Sequence, residues 1–323
     1  MAVVSALPLS LCSVLLGSIL LAAPAFAEDG LALLQRIAQG SRQLTYSGTF
    51  VYRSGDKADI SRIAHSVSEG REIERIEALD GSPREVLRWG SEVKCFFPEE
   101  KLLIIENRSN QRGFPALLPA GLGGVPEHYA IRSGSQGRVA GLKSRAVLLE
   151  PRDDLRYGHE FWMDAASGLL LKATLLGARG ETLESFAFTQ VKIGGPLEQG
   201  ALKPRFDSER VRVQQVRATE VKPDDMSWIF RTLLPGFRKV AAMKRQTAPE
   251  NPESLHVVFS DGLASISVFI EPGGSAGEAE TTSAVGPVQV YRRQVGEHRV
   301  VVMGEVPALA VRRLGDGIER RRK

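Results

Sequence analysis

The sequence predicts an α+β protein: a meander of short antiparallel strands behind one helix, then a smaller domain mixing strands with a terminal helix. Three observations predict it. Apolar and polar residues alternate with the period of two that half-buried strands require. Tight-turn signals rich in Gly, Asp and Ser separate these runs. The Gly/Pro-rich stretch GGPLEQGALKPRF divides the chain, and 323 residues are enough for about two cores.

The chain opens on MAVVSALPLSLCSVLLGSILLAAPAFA, an uncharged apolar run ending in Ala25-Phe26-Ala27 before Glu28-Asp29. That is the pattern of a secretory signal cleaved after Ala27, although the usual basic start is missing. Cys12 lies within the apolar run, which argues against a lipoprotein anchor. Cleavage leaves Cys95 as the only cysteine, so no internal disulfide is available. Cys95 alternates with Val93 and Phe97, the placing of a buried structural thiol.

DGLALLQRIAQGSRQ reads as an amphipathic helix, with Leu31, Leu34, Ile37 and Ala38 on one face, Asp29 as N-cap and Gly40 as its stop. In QLTYSGTFVYR, Leu44, Tyr46, Phe50 and Tyr52 alternate with polar residues, and SGDK turns the chain. Strand-like runs follow at DISRIAHSV, REIERIEAL, REVLRW, EVKCFF and KLLIIE. The meander breaks at RGFPALLPAGLGGVPEHYAI, whose prolines and glycines exclude a strand and suit a loop or one or two short helices. Strands resume at SRAVLLEP, LRYGHEFWM, GLLLKATLL and ETLESFAFTQVKI. Phe186 and Phe188 fall on one side of the last, Leu183 and Val191 on the other. A sheet with two apolar faces must cover both, with a helix on one and a core or an apolar ligand on the other.

Beyond the boundary, WIFRTLLPGFRKV reads as helix or loop. LHVVFSDGLASISVFIEP is a hairpin turned at Asp261-Gly262. GGSAGEAETTSAVG is a low-complexity connection, VQVYRRQ and HRVVVMGEV are strands, and PALAVRRLGDGIERRRK is a basic terminal helix. The resulting division is a signal at 1–27, a first domain at 28–195, a linker at 196–210 and a second domain at 211–323.

Candidate chemistry is sparse. In RYGHEFWM, strand spacing puts Tyr157, His159, Phe161 and Met163 on one face and Glu160 and Trp162 on the other, so His159 and Glu160 cannot ligate one ion. There is no second histidine for a zinc helix, no G-x-S-x-G elbow, no phosphate loop and no C-x-x-C. His65, His128, His159, His256 and His298 stand singly. No catalytic residue, metal or cofactor is expected. A net charge of +4 is too small and scattered to argue for nucleic acid; it suits an acidic peptide or an anionic headgroup. ERRRK at the C-terminus reads as a solvated helix end, with an anchor for anionic lipid as the alternative. The residues therefore describe a binding protein.

Several stretches resemble the RseB/MucB family. RYGHEFWMDAASGLLLKATLLGARGETLESFAFTQV is similar to the segment closing that family's N-terminal domain, notably at Arg156-Tyr157-Gly158, Glu160, Asp164, Gly168-Leu169, Lys172, Leu183-Glu184 and Phe188-Thr189-Gln190. SGTFVY, LLPGFRKV, FSDGLASISVFIEP and GEVP resemble further family blocks in matching order. The resemblance implies an N-terminal unclosed antiparallel β-barrel of the LolA/LolB kind with helices on one side, and a smaller α+β C-terminal domain. It implies a periplasmic regulator that binds the periplasmic segment of a membrane anti-sigma factor (RseA/MucA-like) and shields it from site-1 proteolysis. Lipid or lipopolysaccharide is then the release signal, and sigma-E-dependent transcription is held down. Arg156, Tyr157, Phe161, Phe186 and Phe188 are the candidate partner- or lipid-binding residues. A periplasmic carrier of lipid or lipoprotein is the alternative. Homo-oligomerisation, the natural lipid and the docking surface stay open at this point.

Overall fold

A computed structural model describes residues 30–107, 118, 122–205, 211–222, 225–246, 251–273 and 279–321. The expected signal cleavage, the Asp29 cap and residues 112–117 and 119–121 of the Pro/Gly-rich break lie outside these residues.

Helix α1 (Gly30–Gln43) leads into β1 (Tyr46–Ser54), β2 (Lys57–Ser68), β3 (Arg71–Ala78), β4 (Glu85–Trp89), β5 (Glu92–Phe97) and β6 (Leu102–Asn107). One turn of helix, α2 (Val125–His128), precedes β7 (Tyr129–Val139), β8 (Leu142–Pro151), β9 (Gly158–Asp164), β10 (Leu170–Leu176) and β11 (Thr182–Ile193). Each meander pairs with its sequence neighbours, and β1 joins them by pairing with both β2 and β11. The sheet then runs β6-β5-β4-β3-β2-β1-β11-β10-β9-β8-β7. Its ends, β6 and β7, do not pair with each other among the described residues, so the barrel is unclosed.

α1 packs on the inner face over β7, β8, β10 and β2. Leu33, Leu34 and Ile37 are fully buried there against Phe161, Met163, Leu170 and Phe188. Each such side chain contributes about 2 kcal/mol of burial, which explains why this helix forms where an isolated one would not. Gly40 does not stop α1 as its type suggests. It lies inside the helix because a Cβ there would sit 2.8 Å from the Gly168 carbonyl, and the helix continues to Gln43.

The second half comprises β12 (Arg212–Glu220), β13 (Trp228–Phe230), β14 (Arg238–Gln246), β15 (Ser254–Ser260), β16 (Ser265–Pro272), β17 (Thr281–Val285), β18 (Val288–Val295), β19 (His298–Gly304), α3 (Ala308–Asp316) and β20 (Ile318–Arg320). β14, β15, β16, β19, β18 and β17 pair in that order, antiparallel throughout. A second core lies under α3, where Val257, Ile266, Val300 and Val311 are fully buried. WIFRTLLPGFRKV is therefore not helical: it gives β13, a turn and the start of β14. The terminal helix is shorter than PALAVRRLGDGIERRRK suggests, because Gly317 ends it and β20 pairs back on β13.

β12 unites the halves. Arg212–Val216 pair parallel with Leu102–Glu106 of β6, and Arg217–Glu220 pair antiparallel with Met243–Gln246 of β14. The result is one 18-stranded sheet with a change of partner in mid-strand.

Candidate functional site

The alternation read from RYGHEFWM holds in space. Phe161 and Met163 are buried on the inner face, with His159 stacked on Phe161 at 5.4 Å. Trp162 and Glu160 face outward, where Lys172 lies over the indole and 3.8 Å from the Glu160 carboxylate. Phe186 and Phe188 meet at 5.4 Å and, with Phe50 and Phe161, form the centre of the first core. Val191 differs from the expectation. A β-bulge puts Thr49 opposite Gln190 but Phe50 opposite Phe188, so strand parity changes and Val191 packs against the same core as the phenylalanines.

The five candidate residues thus divide into two places. Phe161, Phe186 and Phe188 are 2–3% exposed beneath α1. Arg156 and Tyr157 instead sit where the two halves meet. The fully buried Arg156 guanidinium donates from Nε to Asp261 Oδ2 at 2.6 Å, and also to the Asp153 carboxylate and the Pro235 carbonyl. It stacks 4.9 Å from the centre of the Phe237 ring. Burial opposes its charge, but Asp153 and Asp261 outweigh it and raise its pKa. Asp261 occupies the β15–β16 turn, where Oδ1 accepts from the Leu263 and Ala264 amides at 2.8 Å. The Tyr129 hydroxyl reaches its other oxygen at 3.4 Å. Every lone pair facing this buried charge is used, the condition for such a pair to be tolerated.

Apolar residues cross the same junction in both directions. Leu155 inserts into the second core, and Leu263 packs against the first. Gly236, at φ +78°, has its ideal Cβ position 2.1 Å from His128 Nε2, so only glycine lets this loop close on α2. Desolvation lowers the His159 pKa to about 4, against a smaller opposing effect of Asp261. Tyr157 is half-buried, and burial raises its pKa against a smaller lowering effect of the Gln289 side chain of β18. Further along, Glu106 of β6 pairs with Arg245 of β14 at 2.6 Å. Among the described residues, no three His, Cys, Asp or Glu side chains gather as metal ligands, and no helix is long and apolar enough to cross a membrane.

One signal was missed in the sequence. The inner face at β1–β4 carries a lateral row, Tyr46, His65, Glu74 and Arg88, set by register across four strands. Burial raises Glu74 to about 8, outweighing the Arg88 guanidinium 3.9 Å away.

An unclosed sheet joined to a second core by a shared strand and a buried ion pair defines a two-part, strand-built protein. The chain belongs to the MucB/RseB family: the model of the MucB/RseB N-terminal domain matches residues 29–206, and that of the C-terminal domain matches 222–319. It is 31% identical over 302 residues to the "Sigma factor AlgU regulatory protein MucB" of Pseudomonas aeruginosa, covering 91% of this chain and 92% of that one. It is 24% identical to the "Sigma-E factor regulatory protein RseB" of Escherichia coli K12, covering 95% and 96%. A crystal structure of MucB in complex with MucA(peri) superimposes with a TM-score of 0.71 at 30% identity, covering 91% of this chain and all of that one. The MucA/MucB complex of Pseudomonas aeruginosa gives 0.72.

Proposed function

We propose that this chain is a periplasmic regulatory binding protein that holds the periplasmic segment of a membrane anti-sigma factor. Held there, the segment is shielded from site-1 proteolysis, and sigma-E-type transcription stays low until lipid or lipopolysaccharide releases it. The observation that carries the reading is a match over both halves of the chain: the two family models fit in order, and relatives that align over more than nine-tenths of it are named as regulators of AlgU and sigma-E. A solved relative, MucB, is bound to MucA(peri). The apolar run at the N-terminus supports export to the periplasm.

In this reading the division into 28–195 and 211–323 is functional, with 196–210 as the connection. Arg156 and Tyr157 act on ligands through the junction, because their side chains are engaged across it. Phe161, Phe186 and Phe188 meet acyl chains only when α1 lifts from the inner face, since they are packed beneath it.

The test is fluorescence anisotropy with the mature chain and a labelled periplasmic peptide of the anti-sigma factor from the same genome. Saturable binding that lipopolysaccharide reverses supports the proposal. Binding that lipopolysaccharide leaves unchanged removes the lipid signal. Failure of the peptide to bind, with lipid still bound, makes a lipid or lipoprotein carrier the better reading.

A further inference from the structure

Two of the stretches singled out in the sequence, Leu183-Glu184 and GEVP, each bring a glutamate to the place where the halves meet at the rim of the unclosed barrel. Ser54 ends β1 there and pairs with Glu184 of β11. The Ser54 Oγ lies 2.6 Å from where a Cβ on Gly286 would stand, so the β17–β18 turn rests on this rim, with Gly286 at φ +57°. Within the second half, Gln289 of β18 pairs with Gly304 of β19, which sets Glu305 at the same end of that hairpin. Glu305 is fixed between Gly304, whose Cβ position is 2.5 Å from the Ser265 carbonyl oxygen, and Val306, fully buried in the second core. The two glutamates thus approach from opposite halves. They are close enough for the Glu184 charge to act on Glu305, and for the Glu305 charge to act on Tyr52.

Among the described residues, neither carboxylate has an ion pair with a cation. The Tyr52 hydroxyl donates to Glu184 Oε2 at 2.5 Å and fixes that carboxylate in place. Strand register identifies the other groups on its face. Lys57 of β2 stands beyond Ser54 and is exposed, while Leu175 and then His159 follow on the other side. Burial lowers His159 to about 4, so its ring is neutral above that pH. Arg53 has the opposite strand parity and is exposed. Glu181, which acts on the neighbouring Tyr157, has its own cation in Arg179 at 4.0 Å. From the second half, Gly286, Gln289 and Ser265 bring no charge. Two like charges therefore oppose each other across a junction that the Arg156–Asp261 pair holds by attraction.

We propose that Glu184 and Glu305 form a proton-operated latch between the two halves: sharing a proton they hold the junction closed, and with both ionised they push it open. The latch needs neither peptide nor lipid, so it goes beyond the function proposed above. A protonated carboxyl donates to a carboxylate in one of the stronger kinds of hydrogen bond, whereas two neighbouring carboxylates repel. Water reaches part of Glu305, which lets its proton exchange with bulk solvent. The protein around it nevertheless desolvates the carboxylate, and with the Glu184 charge raises it from 4.5 to about 7. Burial raises Glu184 as well, against a lowering effect of the Tyr52 donor. Burial and then Glu184 raise Tyr52, which stays protonated as that donor. Acids raised by closure mean that the closed form binds more protons than the opened one. The latch is therefore complete below the ordinary value of 4.5 and is lost as pH rises through about 7.

The experiment is double electron–electron resonance on the mature chain, with nitroxides on Ser68→Cys and Glu297→Cys in a Cys95→Ser background. Ser68 ends β2 away from the rim, and Glu297 lies in the β18–β19 turn at the far end of that hairpin, so a small rotation at the junction is magnified between them. Distances are compared at about pH 5.5 and about pH 8.5, either side of the Glu305 value. The expected result is a ratio of opened to closed molecules that rises about tenfold across this range, the equivalent of one pKa unit. Glu305→Gln and Glu184→Gln should each keep the closed distance at both pH values. Glu305→Lys should stay closed at the higher pH, because an ammonium attracts the ionised Glu184. Tyr52→Phe should move the midpoint upward, since it removes the donor that favours ionised Glu184. Circular dichroism confirms that each variant is folded. A distance that does not change with pH, or that changes equally in Glu305→Gln, overturns the latch. A response lost in Glu305→Gln but kept in Glu184→Gln overturns it too, because the proton is then not shared between the halves.

Discussion

Arg156 illustrates what one residue can and cannot disclose. Its place before a strand of aromatic residues marks it as a rim candidate. Its partner, however, is Asp261, 105 positions away in a turn recognisable from Asp-Gly chemistry. Only the folded chain brings the two together. Removing one member leaves the other charge buried, which costs about 3–5 kcal/mol. Asp261→Asn and Arg156→Ala should each lower the thermal midpoint markedly. Arg156→Lys should recover little, because an ammonium cannot serve Asp153, Asp261 and Pro235 from one plane. Thermal unfolding by circular dichroism checks this, and a midpoint unchanged in Asp261→Asn would show that the pair is idle. Glu74 makes a second residue-scale prediction. Its ordinary value of 4.5 in the unfolded chain rises to about 8 when folded. Between those values the folded state holds a proton that the unfolded state has lost, so stability falls as pH rises through this window. The full cost is on the order of 5 kcal/mol. His159 works in the opposite sense: its folded value of about 4 makes stability fall as pH drops below its ordinary 6.5. The denaturant midpoint of Glu74→Gln relative to the parent protein should therefore rise from about pH 5 to pH 8, while both proteins keep the acid-side loss.

Elements were legible where a single strand's periodicity carried the information. Tyr46 and Phe50 are inward as their alternation required, and the SDG turn joins β15 to β16. Legibility ended where a neighbour decided the outcome. Alternation put Phe161, Phe186 and Phe188 on apolar faces, but not under α1. The bulge at Thr189 turned Val191 inward, and no local signal announces such an insertion. The row from Tyr46 to Arg88 is invisible in sequence because register alone assembles it. β12 was hidden for another reason: its residues are mostly exposed or half-buried, so burial writes no pattern into RVQQVRATE. Its stability comes from pairing with β6 and then β14. Val216→Pro removes a ladder donor at the last β6 pair and should weaken that junction by about 3 kcal/mol. In limited proteolysis, cleavage near Gly194–Pro204 should yield two fragments that remain associated in the parent protein and separate in Val216→Pro. Co-elution of the fragments in both proteins would show that β12 does not hold the halves together.

At the scale of the whole molecule, the two cores are joined by features of different strength. β12 is a continuous backbone connection, whereas the clasp at Arg156–Asp261 and the exchange of Leu155 and Leu263 are side-chain contacts. Any ligand that favours one arrangement of the halves changes the affinity of a ligand favouring another, by the same factor in both directions. If the anti-sigma segment prefers the clasped arrangement and lipid the opened one, the clasp sets the barrier that lipid must overcome. Weakening it by about 1.4 kcal/mol lowers the lipid needed for release tenfold. Arg156→Met with Asp261→Asn removes the buried ion pair while an amide oxygen at 261 still accepts from the Leu263 and Ala264 amides and Asp153 stays partly exposed to water, so the folded state persists. Anisotropy of the labelled peptide in this double variant should show weaker peptide binding and release at a lipopolysaccharide concentration at least tenfold lower than for the parent chain. Should the peptide affinity and the release midpoint both match the parent chain, the two ligands are coupled through the inner face alone and the junction is a passive hinge.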